Sequence, residues 1–339
     1  MRNRVVAVLL LTLVFLGVVI SKIDFEAVRV SLGGVRWLHM APVVLLYLST
    51  HIARSIRLQA LFAQRLTLRD VFSINGVGFL AINTIPARLG ELVRPYLLKE
   101  KHDVPLGASI AAILVERILD FAMLLLLLLS VSFLVDLPSH GIQVGGSEVD
   151  IVSLGQKLAG TFLALGIVGG GFAVLASQRV AAWLRGWRRM PGLASFGAGL
   201  VERFDEALRW LWRNPSKAVV AILGTVFVWG TTLVAVALVL SSFPEIAVDW
   251  RIVLVTWTFT LTGMTFIPTA GFFGVYEACC AGALMLQGVD EGPAMACAVV
   301  LHLGQFTYLA VVGLICLAAE GVSLRSAVSG SWGALEEER

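Results

Sequence analysis

The sequence predicts an all-α integral membrane protein, with about six transmembrane helices plus two re-entrant helical hairpins in an inverted-repeat arrangement. Three observations predict it. Of the 339 residues, 58% are hydrophobic and only 14% charged, where a soluble domain carries about 25% charged residues. Six apolar stretches, about 5–21, 38–58, 105–134, 154–177, 217–242 and 294–319, reach or approach the length of a bilayer crossing. Two more, about 70–98 and 252–287, are interrupted midway by Pro and Gly.

The first run, Val5 to Ile20, follows Arg2 and Arg4, and no good small-residue cleavage site succeeds it. It reads as a retained first span rather than a signal peptide. In the first interrupted region, Glu91 to Leu98 is too short to cross a bilayer at about 1.5 Å per residue. A hairpin that enters and leaves on one side fits it better. The second interrupted region has the same form.

The distribution of basic residues orients these segments. With the N-terminus inside, eighteen Lys and Arg fall on the cytoplasmic side, Arg54 and Arg57 among them, against five outside. Arg88, Arg94 and Arg117 are left in the membrane. Such a bias marks the cytoplasmic face and predicts a multi-pass protein of the cell inner membrane with both termini cytoplasmic. The hairpins then enter from opposite leaflets, each preceded and followed by a full span. This makes 70–134 and 252–319 proposed inverted repeats whose tips meet near the midplane.

The whole of 1–320 reads as one transmembrane domain, followed by a cytoplasmic tail at 321–339. Within it, 178–216 is the one sizeable polar segment. Phe196, Leu200, Phe204, Leu208 and Leu211 recur there at helical spacing, with Glu202, Arg203, Asp205, Glu206, Arg209 and Arg213 opposite. This suits a cytoplasmic, interfacial amphipathic helix, although a cytoplasmic loop explains the charge equally well. The four cysteines, Cys279, Cys280, Cys297 and Cys316, lie in apolar segments without metal or redox spacing and read as packing residues. Gly166 and Gly170 have the spacing of ordinary helix packing.

Charge inside a membrane is costly and marks a pathway or a binding site. Non-helical backbone at that depth survives only under cover of protein or around a water-filled cavity. Both features coincide in Asn83 to Leu98, which carries Arg88, Glu91 and Arg94 and is broken by Pro86, Gly90 and Pro95. On a half-helix starting near Pro86, the three charges would share a face. Its positive end would face the midplane and favour an anion, with Arg88 adding a planar fork suited to phosphate. Arg88 and Arg94 pairing with Glu91 to hold the hairpin is the alternative.

Glu116, Arg117 and Asp120 begin the third span, with Arg117 in reach of Asp120. They read as site-supporting, or as snorkelling to the interface. In the second hairpin Pro268, Gly271, Gly274 and Glu277 recur every three residues. The first three permit a tight break. Glu277 enters the following apolar half-helix. Three membrane arginines against four carboxylates leave one carboxylate over, a candidate proton carrier or a protonated structural group. His302 and Gln305 could face the site. Nothing has the pattern of a metal site, a cofactor or nucleotide loop, a nucleophile–base pair or a nucleic-acid surface.

Three blocks then carry a resemblance: Asn83, Pro86, Arg88, Gly90, Glu91 and Arg94; Glu116, Arg117 and Asp120; and Pro268, Gly271, Gly274 and Glu277. In order and spacing they resemble the signature blocks of the lysylphosphatidylglycerol synthase transmembrane, flippase-like family, over roughly residues 5–320. The family's second hairpin often reads Pro-x-Pro-Gly-Gly. Here Ala270 and Phe272 replace its second Pro and second Gly.

The resemblance implies a domain that moves an amphiphilic lipid between leaflets, without the cytoplasmic aminoacyl-transferase domain of bifunctional members. Its partners would be membrane lipids, an anionic headgroup at the midplane, and lipid-biosynthesis proteins. Phospholipid, hopanoid and polyprenyl-linked substrates all stay open. An intramembrane enzyme acting on a lipid-linked substrate and a non-transporting scaffold are the competing readings.

Overall fold

A computed structural model describes residues 2–22, 24–63, 66–85, 90–135, 141–144, 147–150, 161, 177–183, 186, 191–324, 326–328 and 330. The proposed span at 154–177, with Gly166 and Gly170, lies almost wholly outside the described residues, as do Pro86 and Arg88 and the end of the tail.

The described chain is helical apart from one small hairpin. Helix α1 (Arg2–Lys22) is followed by α2 (Phe25–Gly34), whose first amides are capped by Asp24. A 3-10 turn leads into α3 (Ala41–Ala60). Thr67 and Asp70 form a reciprocal capping box that starts α4 (Leu68–Thr84). After a break come α5 (Val93–His102) and α6 (Leu106–Leu134). Strands β1 (Gly141–Val144) and β2 (Ser147–Asp150) pair antiparallel, Gly141 opposite Asp150. The rest comprises α7 (Pro191–Arg213), α8 (Pro215–Ser241), α9 (Trp250–Phe266), α10 (Val275–Leu286) and α11 (Glu291–Glu320).

This is a membrane protein. Among the described residues, α8 and α11 are long and apolar enough to cross a bilayer, and the bent pair Phe25–Gly34 with Trp37–Ala60 makes a third candidate. Helix α6 is nearly as long as α11 but carries Glu116, Arg117 and Asp120 in its first half.

Both interrupted regions are helical hairpins. In the first, α5 turns back on α4. A methyl group built on Gly90 would sit 2.3 Å from the Ala81 carbonyl carbon, so only glycine fits there. A 3-10 turn at 90–92 leads into α5, so the half-helix starts at Val93 rather than near Pro86. In the second, α10 returns along α9, with a 3-10 turn at Ala270–Phe272 between them. The two breaks touch: a methyl group on Gly271 would lie 3.1 Å from the Asn83 carbonyl oxygen. Helix α1 backs the second tip, Thr12 Oγ1 accepting from the Ala270 amide at 2.8 Å.

Each hairpin owns a core. Around the first, Leu58, Ile74, Val77, Leu97 and Ile113 are buried together. Around the second, Phe243, Trp257, Tyr276, Leu284 and Leu301 are. Helix α3 lies against α8 between them, α4 packs on α11, and α9 packs on α6. The apolar stripe of α7 is occupied by protein: Phe204, Leu208 and Leu211 pack against the first core.

Candidate functional site

Helix α3 brings a polar stripe into the protein. Tyr47, Thr50, His51, Arg54 and Arg57 recur every three or four residues, so they share a face. Arg57 is 1% exposed. Its Nε donates to Glu116 Oε1 at 3.1 Å. Its Nη1 and Nη2 donate to the two Asp120 oxygens at 2.6 and 3.2 Å. Thr225 Oγ1 accepts from Nη1 at 3.1 Å, and Trp229 Nε1 donates to Asp120 Oδ1 at 3.3 Å.

Arg94 enters from α5, wholly buried, and its Nη1 donates to Glu116 Oε2 at 2.9 Å and to Asn75 Oδ1 at 3.2 Å. Its stem passes Gly78, where an added Cβ would lie 2.2 Å from Arg94 Cγ. Glu116 therefore bridges two arginines, one from α3 and one from the first hairpin. Buried charges persist only when paired and hydrogen-bonded in this way.

This cluster corrects the sequence reading in two respects. Arg54 and Arg57 lie within α3 and turn into the helical bundle rather than standing in a segment between spans. Arg94 does not share a face with Glu91: it points to Glu116, while Glu91 lines a cavity. Arg117 does reach Asp120, at 3.6 Å, beside the closer contact from Arg57. Arg88 lies outside the described residues.

The cavity beside the cluster has a volume of about 1230 Å³. Its walls are largely apolar, with Phe79, Phe121, Trp257 and Phe272 among them, and its polar patch includes Arg54, Asn83, Glu91, Arg117 and Asp120. The Asn83 amide itself is turned back to the Phe79 carbonyl at 2.8 Å. Arg54 lies over the Phe79 ring, 5.0 Å from its centroid, with Arg94 5.3 Å from the same ring. Gln305 and Tyr308 of α11 complete the wall, while His302 is placed elsewhere.

His302 belongs to the second hairpin. Its Nε2 lies 3.0 Å from the Gly271 carbonyl oxygen, which can only accept. Nε2 therefore carries the hydrogen, and the 2.6 Å contact between Nδ1 and Glu277 Oε1 holds one shared proton. Glu277 Oε2 accepts from the Gly274 amide at 2.7 Å, and Tyr276 stacks on the imidazole at 4.4 Å. Glu277 thus caps α10 and pairs with α11 through His302.

Gly271 and Gly274 take positive φ values of 60° and 82°. Phe272 takes a φ of 63°, which is uncommon for a bulky residue. Pro268 is exposed beside this tip. Of the predicted positions, Glu91, Arg117, Asp120 and Asn83 meet at the cavity, Arg94 and Glu116 lie behind it, and Gly271, Gly274 and Glu277 build the second tip.

Sequence reasoning missed His51, Arg54, Arg57, Asn75, Thr225 and Trp229. One signal pointed to the arginines: Leu58, Leu61 and Phe62 follow Arg57, so the apolar helix does not end at its charges.

The family model for the lysylphosphatidylglycerol synthase TM region matches residues 5–313. The chain belongs to this family. A curated relative, Glycosyltransferase AglD of Haloferax volcanii, is 25% identical over 356 residues, covering 97% of this chain and 56% of that protein. The chain thus spans about half the length of the curated relative it matches. No solved structure matches it. Family and cavity together fit a membrane, lipid-related function.

Proposed function

We propose that this domain carries an amphiphilic lipid between the leaflets as a flippase-like transporter, with the headgroup held in the cavity at the junction of the two hairpins. The cavity carries the reading. At about 1230 Å³ it exceeds the roughly 300–1,000 Å³ of a small-molecule site, and it offers one polar wall among apolar ones. That is the shape of a chamber for a headgroup with its first methylenes.

The packing supports an inverted repeat. Exchanging α3, α4, α5 and α6 with α8, α9, α10 and α11 turns the α4–α11 contact into α9–α6, and both contacts exist. The central α3–α8 pair maps onto itself. Two such units could rock about α3 and α8 and expose the cavity to one leaflet, then the other. Removing Arg54 and Arg57 from the cytoplasmic tally lowers it from eighteen to sixteen against five, so the inner-membrane orientation with cytoplasmic termini stays part of the proposal.

A leaflet-resolved assay in proteoliposomes tests this. Wild type should speed the movement of a labelled phospholipid over protein-free vesicles, and Ala122→Trp, which fills the cavity wall, should slow it. Equal rates with and without protein overturn the proposal.

The second reading is an enzyme acting on a lipid-linked substrate. The relative's name favours it, as does Glu91, a cavity carboxylate without an ion pair among the described residues. Glu116 and Asp120 suit acid–base work less well, because both are locked to arginines. Lipid mass spectrometry of a deletion strain separates the readings. A missing species argues for the enzyme, and an intact species in the wrong leaflet for the transporter.

A further inference from the structure

Arg54 and Arg57 lie one turn apart on the same helix, yet their surroundings differ. Arg57 is sealed between Glu116 and Asp120. Arg54 lines the cavity, half-buried, with no carboxylate partner and no hydrogen bond among the described residues. The face of Phe79 lies 5.0 Å from it, and the charges of Asp120, Arg57 and Glu116 act on it without a direct contact. The Phe79 contact orients a guanidinium but leaves its in-plane donors free. Arg117, also in the cavity wall, is close enough for its charge to act on Arg54. Among the described residues its one carboxylate contact is the loose one to Asp120, and its Nε has no hydrogen bond.

The charges around the chamber do not cancel. Among the described residues, Arg54, Arg57, Arg94 and Arg117 face Glu91, Glu116 and Asp120, a surplus of one positive charge. Leaving that surplus bare in a largely apolar chamber is costly. A ligand carrying one negative charge removes the cost. Arginine's fork matches two oxygens of a tetrahedral anion, which a carboxylate-bound Arg57 cannot offer.

We infer that Arg54 is the seat of a phosphate monoanion, the phosphodiester of a net-anionic lipid headgroup, with Arg117 as its second donor. The inference rests on the cavity being a lipid chamber. It adds which residue reads the headgroup and which charge class is preferred. The apolar walls take the first methylenes of the acyl chains, and Glu91 stands free to accept from headgroup hydroxyls. Free inorganic phosphate shares the anion chemistry but gains nothing from those walls.

The test is a tryptophan-fluorescence titration, since Trp229 and Trp257 line the cavity. Purified protein in a neutral maltoside detergent is titrated with dioctanoyl phosphatidylglycerol, dioctanoyl phosphatidylcholine and inorganic phosphate. Wild type should prefer the anionic lipid over the zwitterionic one by about tenfold or more, the worth of a charge-assisted hydrogen bond. It should bind inorganic phosphate far more weakly than either. Arg54→Gln should weaken both lipids, which share the phosphodiester, but the anionic one most, so that the preference is lost, while elution and SDS-induced unfolding like wild type report an intact fold. Arg54→Lys should restore part of the preference.

A preference unchanged in Arg54→Gln overturns the assignment of Arg54 and leaves the lipid chamber standing. Inorganic phosphate binding as tightly as the anionic lipid overturns the lipid source. If wild type binds neither lipid, the chamber reading falls and this inference falls with it.

Discussion

The two hairpins share a backbone device and differ in what locks it. The first is held by charge: Arg94 is buried whole and reaches Glu116, which also holds Arg57. The second is held by one shared proton between His302 and Glu277 and by the backbone of Gly271 and Gly274. Fixed charges in an apolar bundle have one good arrangement and costly alternatives. A shared proton and left-handed glycines tolerate more rearrangement. The described arms of the first hairpin read as the rigid wall of the cavity and the second tip, with Phe272 on the cavity side, as its adjustable one.

Four substitutions test that contrast, from the largest expected effect down. Glu116→Ala strands both Arg57 and Arg94 and should cost about 3–5 kcal/mol, the penalty for orphaning a buried charge. The readout is SDS-induced unfolding, and a loss under about 1 kcal/mol would show that water or lipid reaches the cluster. Gly90→Ala forces a methyl group against the Ala81 backbone and should cost about 3 kcal/mol, the upper end for overpacking. A Gly90→Ala protein that elutes and melts like wild type would mean that the packing of Gly90 on Ala81 is not rigid.

Glu277→Ala should cost less, about 1–3 kcal/mol for an unmade buried hydrogen bond, measured by the same unfolding. If it equals Glu116→Ala, the contrast between the hairpins is lost. Lys101→Met removes a partly exposed pair with Glu320 and should change stability by less than about 1 kcal/mol. A larger thermal shift would place that contact among the main locks.

Much of this was legible because Pro, Gly and charge interrupt apolar runs in only two places. Asn83 to Leu98 and Pro268 to Glu277 could hardly be straight helix, and both are hairpin breaks. Glu116 and Asp120 were readable as a shared face. Their true partner was not, since Arg57 sits near the end of an apolar run, where basic residues ordinarily anchor a helix to the interface. Positive-inside counting has no means of separating an anchoring arginine from one that turns inward. His302 was equally hidden: its pairing with Glu277 spans 25 positions and exists only once α10 and α11 have packed. Phe272 shows the reverse case. Left-handed backbone ordinarily calls for glycine, and this chain adopts it with a phenylalanine.

The link between Lys101 and Glu320 bears on assembly order. Lys101 Nζ donates at 2.6 Å both to the Glu320 carboxylate and to its backbone carbonyl, 219 positions later in the chain. That carbonyl is one of the last in α11, where a helix has no partner of its own to offer. The end of α11 is therefore finished by the first hairpin. During synthesis, α11 can form its turns as it emerges, but its end stays open until it meets a residue made two hundred positions earlier. The contact works as a clasp that closes after the bundle does, joining α11 to a helix made some two hundred positions earlier.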